Sequence, residues 1–492
     1  MRLRPENQCD FYKTGHYRMY PEKTEMIYSN FTCRSSRHFE ALPDFDGKVV
    51  NFGLQGAIQC LTEMWDYDFF DVDKGEVLER YKRRMDTSLG PNMVSTDHIG
   101  ALHDLGYLPI LIKAIPEGER VDLRVPLFTI RNTKKEFGWL TNYLETQLLA
   151  LLWKPITTAT TAYEYRRLLT RYAKLTGTPL DFVNWQGHDF SMRGMSGLED
   201  AASSGAGHLL SFTGTDTISA IDYLEDYYCD QEKPYPFIGG SVPATEHSVM
   251  CMGGSDDELG TFKRLISDLY PSGIVSIVSD TWDFWEVITG FTVRLREDIL
   301  RRDGKVVFRP DSGDPVKIIC GDPDAGEGTP AHKGAVQCLW EVFGGSTTER
   351  GYKSLDSHVG LIYGDSITLD RANQILEGLE KKGFASGNIV FGVGSFTYQR
   401  VTRDTFGSAI KATAGTVDGS FREIFKSPKT DDGTKKSAKG LLRVEFENGH
   451  FVLYDQQTEE QEKGGWLEPV FKDGSLLRFQ ELGDIRNRLL GV

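Results

Sequence analysis

Residues 306–315 read VVFRPDSGDP, a short apolar run that ends abruptly in a polar loop. Apolar runs of about four to eight residues, bounded by Gly and Pro, are typical of buried strands. The pattern recurs in VSIVSD at 275–280, LIYGDS at 361–366 and IVFGVG at 389–394, and helical stretches such as the one ending at Gly383 lie between these runs. Repeated strand–loop–helix units predict a parallel sheet, and this many in series predict a β/α barrel.

The sequence on either side of this region predicts a different arrangement of strands and helices. Before it, strand-like and helical stretches are mixed; the apolar spacing predicts one buried helix over 139–153 and a separate basic amphipathic helix over 163–175. After it, residues 440–454 predict a hairpin with its turn at Glu447-Asn448-Gly449. We therefore expect a mixed α+β domain over 1–180, a β/α barrel over 181–400, and a β-rich part over 401–492 that packs with the first domain.

Composition restricts the partners and the compartment. The 492 residues include 56 Lys and Arg against 71 Asp and Glu, a net charge of −15, which gives no electrostatic reason to expect nucleic acid or an anionic membrane as the main partner. The apolar run 148–153 is far shorter than the roughly 20 residues that span a bilayer. The N-terminal residues MRLRPEN contain no apolar stretch, so we expect no signal peptide. Seven scattered cysteines without a C-x-x-C pair fit a reducing cytoplasm.

Three acidic residues follow predicted barrel strands: Asp280, Asp311 and Asp365. The carboxyl ends of barrel strands are where such folds carry their chemistry. Mg²⁺ prefers oxygen ligands and keeps waters that carboxylates hold, so these acids could surround a magnesium-bound anion. A helix cap or a turn is the alternative role for any one of them. Their recurrence at the same place in the predicted fold favours the site.

Basic residues accompany the same strand ends. Arg309 precedes Asp311, and Arg403 and Lys411 follow the glycine-rich turn at 392–394. Such turns let backbone N–H groups approach a phosphate, and basic side chains add positive charge. The turn has no third glycine, and the chain has no G-x-x-x-x-G-K-[ST], so neither a dinucleotide fingerprint nor a P-loop is indicated. The pattern predicts a phosphorylated small substrate.

Ten blocks of sequence then point to a family. They occur in this order: DFYKTGHY at 10–17, Cys33-Arg34, LPILIKAIPEG at 108–118, HDFSMRG at 188–194, FTGTDT at 212–217, SVPATEHS at 241–248, VSIVSD at 275–280, RPDSGDP at 309–315, YGDS at 363–366, and FGVGS through TRD at 391–404. On these blocks the chain resembles the nicotinate/nicotinamide phosphoribosyltransferases, which are type II phosphoribosyltransferases, over nearly its whole length. The resemblance implies an irregular β/α barrel with a second mixed α+β domain built from both chain ends.

The resemblance also implies a reaction: transfer of the 5-phosphoribosyl group of phosphoribosyl pyrophosphate to nicotinamide, for NAD salvage. Phe190, together with Tyr12 of a second subunit, would stack on the pyridine ring. Asp216 would accept the amide N–H of nicotinamide. Arg193 and Arg309 would flank the ring and the phosphoribosyl group. Two serines would complete the substrate contacts: Ser241 and Ser276.

Phosphate groups and a metal are implied as well. The ribose and the magnesium–pyrophosphate would be held by Asp280, Asp311 and Asp365, the first two next to the metal. The ribose 5-phosphate would meet Gly364, Gly394, Ser395, Arg403 and Lys411. Phosphates would be reached across a homodimer interface by Asp10, Arg34, Lys426 and Lys435. His247 would be phosphorylated by ATP, which would stimulate the reaction; a structural histidine is the alternative.

Two departures and several alternatives stand beside this interpretation. Ser395 occupies a position where the family often has glycine, and Met192 replaces an expected aromatic residue near the ring. A nicotinate phosphoribosyltransferase would have the same fold, and Asp216 decides between the two substrates. Asp216 could also merely cap the helix that follows it. A non-catalytic binding protein on this fold is a further alternative, and a metal hydrolase is disfavoured because no His/carboxylate ligand cluster appears.

Overall fold

The computed structural model describes residues 3–234, 236–425 and 438–491. Lys426 and Lys435, two of the predicted phosphate ligands, lie outside the described residues. Two large hydrophobic cores organise the chain, one within a parallel barrel and one beneath an antiparallel sheet. In the described part of the chain, no helix combines the length and the apolar character needed to cross a membrane.

The barrel is built from short parallel strands, as the strand–loop–helix pattern predicts. Six strands hydrogen-bond in the order β2-β1-β6-β5-β4-β3, and every pair is parallel. Their bounds are β1 Gly187–Asp189, β2 Gly214–Thr215, β3 Ser272–Val278, β4 Asp303–Arg309, β5 Val359–Tyr363 and β6 Ile389–Val393. The strands bury Val and Ile side chains against surrounding helices, which makes one continuous core.

The barrel is closed by a segment that is not itself a β-strand. Residues 240–244 lie between β2 and β3, with parallel bridges from Gly240 to Gly214 and from Ala244 to Ser276. Ser276 N donates to Pro243 O at 2.9 Å, which fixes the segment against β3. The ring is therefore complete but irregular, and the expected irregular β/α barrel is confirmed. The closing segment also brings the SVPATEHS block to the strand ends.

Helices surround the barrel between its strands. Their bounds are Leu198–His208, Ile218–Tyr228, His247–Gly253, Glu258–Lys263, Pro315–Cys320, Ala335–Phe343, Leu369–Lys381 and Ser395–Tyr398. Helix Leu369–Lys381 buries Leu369, Ala372, Ile375, Leu376 and Leu379 on one face, a spacing of three and four residues. Shorter helical turns at Phe284–Glu286 and Arg296–Leu300 contribute Phe284 and Ile299 to the same core.

The second domain draws its strands from both ends of the chain. An antiparallel sheet of seven strands has the order Ser420–Glu423, Ala409–Val417, Thr24–Thr32, Pro126–Asn132, Ile110–Ala114, Glu468–Lys472 and Ser475–Leu476. It packs on the helices Leu54–Trp65, Lys74–Leu89 and Asp97–Leu105.

The described chain also has three separate two-stranded ribbons. They are Lys48–Val50 with Arg120–Asp122, Gly345–Thr347 with Lys353–Leu355, and Leu441–Glu447 with His450–Gln457. The last of these is the predicted hairpin, because Glu447 pairs with His450.

One helix joins the two domains, and here the expectation of two separate helices is wrong. Glu145–Thr176 is continuous over 32 residues although Pro155 lies inside it. An interior proline costs about 3 kcal/mol, since it removes a hydrogen bond and crowds the preceding turn. The helix offsets this cost by burying Leu148 and Leu152 in the antiparallel-sheet core and Tyr165 in the barrel core. Tertiary packing thus overrides a local helix-breaking signal.

Candidate active site

The barrel brings together most of the residues predicted from its strand ends. Within two residues after the strand ends come Phe190 (β1), Asp216 (β2), Asp280 (β3), Asp311 (β4), Gly364 and Asp365 (β5), and Gly394 and Ser395 (β6). All lie at the carboxyl end of a parallel barrel, so they face one another across its mouth. Ser276 lies within β3, is buried, and bonds through its backbone to the closing segment.

Asp216 is held by two donors on one of its oxygens. Its Oδ1 accepts from Ser241 Oγ at 2.6 Å and lies 2.9 Å from His188 Nε2, while Oδ2 has no hydrogen-bond partner among the described residues. Burial raises the pKa of this carboxyl, but the hydrogen bonds from His188 and Ser241 and the charge of Arg309 outweigh it and leave the pKa below its usual value. Asp216 is therefore an ionised acceptor at neutral pH, with one free oxygen.

The capping alternative for Asp216 does not hold. The helix that follows β2 is Ile218–Tyr228, and its N-cap residue is Thr217, which makes no side-chain capping bond. The Asp216 side chain turns instead toward His188 and Ser241. The Asp216 side chain is 45% exposed and has one oxygen held by two side chains, so it can offer its other oxygen to a ligand.

Phe190 lies on the floor of the site, and the surrounding sequence makes room for its ring. A Cβ added to Gly364 would come within 2.7 Å of Phe190 Cδ2, and one added to Gly392 would come closer still. The ring centroid lies 4.9 Å from that of His188. The Phe190 N–H donates to Val393 O at 3.0 Å, which ties the residue to the end of β6. Glycines on β6 and after β5 are thus required by the close approach of an aromatic ring.

Asp280 connects three loops of the site. Its Oδ1 lies 3.1 Å from His247 Nε2, and its Oδ2 accepts from the Asp311 N–H at 2.9 Å and from Ser312 Oγ at 2.6 Å. The Asp280 side chain is 6% exposed, whereas that of His247 is 46% exposed. His247 therefore has one nitrogen fixed by a carboxylate and the rest of its ring open to solvent.

Tyr363, which the sequence analysis did not single out, supports the loop after β4. Its buried hydroxyl lies 3.0 Å from Ser312 O and 2.9 Å from Gly313 O, to which it donates. Burial raises the pKa of this phenol, and the negative charges of Asp365 and Asp311 raise it further. The phenol therefore stays protonated as a donor and lies close to the acidic groups of two loops.

The acids do not form a ready-made metal centre. Among the residues that the structure describes, no three His, Cys, Asp or Glu side chains are grouped to hold a metal ion. Both oxygens of Asp280 bond to groups of the protein, and Asp365 Oδ2 accepts from Ser366 Oγ at 2.9 Å. Mg²⁺ is commonly bound by one or two carboxylates together with waters and substrate phosphates. The donor set thus fits a cation that arrives with a pyrophosphate.

The basic residues of the predicted site form two groups: Arg309 and Arg193 belong to the barrel strand ends, whereas Arg403 and Lys411 follow the last barrel strand in sequence. Arg309, on β4, donates through Nη2 to Thr245 O at 2.9 Å, and its buried Nε has no partner among the described residues. Arg193 is exposed at the turn after Phe190. Arg403 pairs with Asp404 at 3.0 Å, and the Lys411 Nζ lies 3.9 Å from Glu145 Oε1, on the antiparallel-sheet domain.

The residues assigned to a second subunit lie on the antiparallel-sheet domain. Tyr12 is 62% exposed, and its ring contacts only His16 among the described aromatic rings. Asp10 Oδ2 accepts from Thr146 Oγ1 at 2.8 Å, and Arg34 Nε donates to Gly407 O at 2.8 Å. In the described part of the chain, none of these side chains bonds to a residue at the barrel mouth.

His188 was also missed, although the sequence contains a signal for it. In a strand, side chains two residues apart point to the same side of the sheet. A strand that ends near residue 190 therefore predicts that His188 and Phe190 face the same region. The strand Gly187–Asp189 is only three residues long, directly follows the helical turn Val183–Gln186 and has little apolar pattern, so the sequence alone does not predict a strand there.

The fold is shared with two solved structures. One is nicotinate-nucleotide pyrophosphorylase from Pyrococcus furiosus, with a TM-score of 0.59, 14% identity, and coverage of 99% of this chain and 95% of that one. The other is human nicotinic acid phosphoribosyltransferase, with a TM-score of 0.50, 13% identity, and coverage of 98% and 92%. At such identities the likeness defines the class of fold, which is that of the type II phosphoribosyltransferases.

Sequence comparisons specify the family. A profile of the nicotinate phosphoribosyltransferase (NAPRTase) family matches residues 185–473. The nicotinamide phosphoribosyltransferase of Acinetobacter baylyi is 62% identical, with 99% of this chain and 97% of that protein covered. The one of Mycoplasma pneumoniae is 35% identical, with 90% and 95% covered. The chain belongs to the nicotinate phosphoribosyltransferase family.

Proposed function

We propose that the protein is an enzyme that transfers the 5-phosphoribosyl group of phosphoribosyl pyrophosphate to nicotinamide. The products are nicotinamide mononucleotide and pyrophosphate, as NAD salvage requires. The observation that carries the proposal is Asp216: an ionised carboxylate with Oδ1 occupied by two donors and Oδ2 free, at the same end of the barrel as Phe190. The 62% identity to the Acinetobacter baylyi protein of that name supports it.

Asp216 favours an amide over an acid for an elementary reason. A carboxylate only accepts hydrogen bonds, and the amide of nicotinamide offers two N–H groups. Nicotinic acid would bring a second carboxylate against Asp216, and like charges in a partly desolvated slot repel. The nicotinate phosphoribosyltransferase alternative is therefore disfavoured by the group that would contact the carboxylate.

A homodimer with shared sites is part of the proposal. Tyr12 is 62% exposed, and two other apolar side chains within residues 11–19 are also exposed, Phe11 at 48% and Met19 at 73%. Exposed large apolar side chains gathered on one segment are typical of an interaction surface. A C₂ dimer would cover this segment and place Tyr12 over the pyridine ring, opposite Phe190, in each of two equivalent sites.

The ribose and its phosphates would meet the loops after β4, β5 and β6. Asp311 and Asp365 would accept hydrogen bonds from the ribose hydroxyls, and Arg309 would contribute positive charge. The Ser395 and Phe396 N–H groups, at the start of helix Ser395–Tyr398, have no backbone acceptor among the described residues and would donate to the 5-phosphate, near Arg403 and Lys411. Phosphates reached from the partner subunit would meet Asp10, Arg34, Lys426 and Lys435.

The chemistry requires positioning and charge stabilisation rather than a protein nucleophile. The C1 atom of the ribose becomes cationic as the pyrophosphate leaves, and the ring nitrogen of nicotinamide must lie in line with it. Phe190 and Asp216 would fix the ring in that line, while Arg309 and Asp311 would hold the phosphoribosyl group. Mg²⁺, held by Asp280 and Asp311 through its waters, would neutralise charge on the leaving pyrophosphate.

ATP would act through His247. Because a carboxylate accepts only, the bond to Asp280 places the imidazole proton on Nε2 and leaves Nδ1 as the nucleophilic nitrogen. Nδ1 would attack the γ-phosphorus of ATP, the bond from that phosphorus to the β–γ bridging oxygen would break, and ADP would leave. The phosphohistidine adds negative charge beside Asp280 and the pyrophosphate loops, where it could organise Mg²⁺ and basic residues.

A product assay tests the proposal. Purified protein is incubated with Mg²⁺, phosphoribosyl pyrophosphate and nicotinamide, and both nicotinamide mononucleotide and pyrophosphate are measured. We expect the two products in equal amounts, and a loss of at least about 100-fold in Asp311→Asn, which removes a charge from the ribose site. Absence of the mononucleotide from an otherwise folded preparation would contradict the proposal.

We propose the cytoplasm as the location of the protein. All seven cysteines are free thiols, which fits a reducing compartment.

A further inference from the structure

His188 contacts Asp216 although no substrate role has been assigned to this histidine. Its Nε2 lies 2.9 Å from Asp216 Oδ1, the same oxygen that accepts from Ser241 Oγ at 2.6 Å. His188 is 8% exposed, whereas the Asp216 side chain is 45% exposed, so the bond joins a buried imidazole to a half-exposed carboxylate. Because a carboxylate cannot donate, Nε2 carries the proton in this pair.

The His188 ring has little freedom to leave this position. On one side its Nδ1 is so close to β2 that a Cβ added to Gly214 would lie 2.7 Å from it. On the other side its centroid lies 4.9 Å from the Phe190 ring. The imidazole is thus wedged between the backbone of β2 and the aromatic floor of the site, and its one polar contact among the described residues is Asp216.

A carboxylate that accepts from two donors on one oxygen has a defined orientation. Rotation about χ2 of Asp216 would move Oδ1 away from both His188 and Ser241, so it is opposed by two hydrogen bonds. Oδ2 is then the only oxygen presented to a ligand. Hydrogen bonds to charged groups are stronger than neutral ones and fix geometry as well as energy.

We propose that His188 is a positioning residue for substrate specificity: it holds Asp216 Oδ1 so that Oδ2 alone meets the amide of nicotinamide. Without His188, the carboxylate would rotate, and the repulsion that excludes a carboxylate substrate would weaken together with the attraction to the amide. The inference rests on the proposed function, because it concerns the pyridine substrate of the same site. It adds a residue that acts through Asp216 rather than on the substrate.

Four variants test this role: His188→Leu, His188→Gln, Asp216→Ser and the double variant His188→Leu/Asp216→Ser. The kcat/KM for nicotinamide and for nicotinic acid is measured at saturating phosphoribosyl pyrophosphate. We expect His188→Leu to lower the preference for nicotinamide by about 10- to 100-fold, chiefly through the KM for nicotinamide. His188→Gln keeps an N–H donor near the position of Nε2 and should retain the preference within about threefold.

The double variant separates positioning from general damage. If His188 acts only through Asp216, His188→Leu should alter the preference less than about twofold in the Asp216→Ser background, because the energetic coupling is then complete. The KM for phosphoribosyl pyrophosphate, which binds elsewhere, should stay within about twofold of wild type in every His188 variant. A preference that is unchanged in His188→Leu, or changed equally in both backgrounds, would overturn the inference.

Folding and the underlying function are controlled separately. Thermal unfolding is measured for each variant, and if His188→Leu does not fold, His188→Asn replaces it, because its shorter amide does not reach Asp216 whereas that of Gln does. Equal loss of preference in the Asn and Gln variants then contradicts the inference. Wild-type protein that fails to use nicotinamide contradicts the proposed function instead, so the two failures are distinguishable.

Discussion

The imidazole of His247 and the carboxylate of Asp280 lie 3.1 Å apart, Nε2 to Oδ1, and Asp280 is at the same time bonded to the loop that carries Asp311. A charge added to His247 would therefore act directly on the loop that is proposed to hold the pyrophosphate. This contact links the predicted ATP site to the predicted transfer site through a single side chain.

The first prediction concerns this link. In His247→Ala, the ratio of transfer rates with and without ATP should fall to one, while transfer without ATP stays measurable. The physical reason is that the variant has no nitrogen to phosphorylate and no switch of charge beside Asp280. Steady-state rates with and without ATP, together with phosphate incorporation from γ-labelled ATP, measure it. Full ATP stimulation in the variant would refute the role of His247.

The second prediction concerns the composite site. Tyr12→Ala and Asp216→Ala subunits should each be nearly inactive alone, and mixing them should restore about a quarter of the wild-type sites. The reason is subunit statistics: half of the dimers in a random equal mixture are heterodimers, and each heterodimer has one intact site. Heterodimer formation is verified with two affinity tags. Mixed dimers that form and stay inactive would mean that the site is not shared.

The third prediction concerns Gly194 and Ser395, the residue that departs from the family. A Cβ added to Gly194 would lie 2.5 Å from Ser395 Cβ, so the two positions cannot both carry a side chain in this geometry. Gly194→Ala should push the helix Ser395–Tyr398 out of place and lower kcat/KM for phosphoribosyl pyrophosphate by at least about 10-fold. Adding Ser395→Gly to the Gly194→Ala variant removes the side chain that would clash with the new Cβ.

Activity of the double variant Gly194→Ala/Ser395→Gly should therefore exceed that of Gly194→Ala, a reversal that general destabilisation would not produce. Ser395→Gly alone is the matched control and should stay close to wild type. If Gly194→Ala is fully active, the contact does not restrict the phosphate loop.

The fourth prediction is a pH dependence of stability. His98 is buried with its ring stacked on Tyr17 at a centroid distance of 3.9 Å, and neither ring nitrogen has a partner among the described residues. Burial lowers its pKa to about 3. Because the unfolded histidine has a pKa of about 6.5, protons bind the unfolded chain first, and the stabilisation present above pH 6.5 is lost as the pH falls toward 3.

His98→Phe keeps an aromatic ring and removes the titration. The loss of unfolding free energy between pH 7 and pH 5 should be about 2 kcal/mol smaller in His98→Phe than in wild type, at about 1.4 kcal/mol per pH unit below 6.5. Urea unfolding at both pH values measures it, and His38→Phe, at an exposed position, is the control. Equal pH dependence in wild type and His98→Phe would show that His98 is not buried in its neutral form.

The barrel and its acidic strand ends could be predicted because each signal is local. Apolar runs of strand length that end in Gly, Ser or Asp predict a strand followed by a loop without any knowledge of tertiary contacts. The pattern of 306–315 is repeated at β3, β5 and β6. Parallel strands then place their carboxyl ends together without further information. The hairpin at 447–450 was predicted for the same reason, since its turn chemistry is local.

The parts that could not be predicted depend on tertiary contacts. The segment 240–244 contains Gly and Pro and has no strand pattern, yet it closes the barrel because two neighbouring strands offer it unpaired backbone groups. Helix Glu145–Thr176 continues through Pro155 because two cores pack against it. The bond between His188 and Asp216 joins residues 28 apart in sequence, and only the pairing of β1 with β2 brings them together.

The fifth prediction concerns Asp216. Asp216→Ser removes the negative charge and the free Oδ2, so kcat/KM for nicotinamide should fall and the relative use of nicotinic acid should rise. Wild-type discrimination of roughly 10³-fold or more, at 1.4 kcal/mol per decade, should shrink by at least about 10-fold. A capping residue would give a different result: about 1 kcal/mol of lost stability with the preference unchanged. Thermal unfolding of the same variant separates the two outcomes.

Competition between the two substrates tests the central claim most directly. Wild-type enzyme is given nicotinamide and nicotinic acid at equal concentration with phosphoribosyl pyrophosphate, and the two mononucleotides are separated and quantified. The ratio of products equals the ratio of the two kcat/KM values, so no other constant is needed. The account predicts nicotinamide mononucleotide in excess by roughly 10³-fold. A wild-type enzyme that forms mainly nicotinic acid mononucleotide would contradict it.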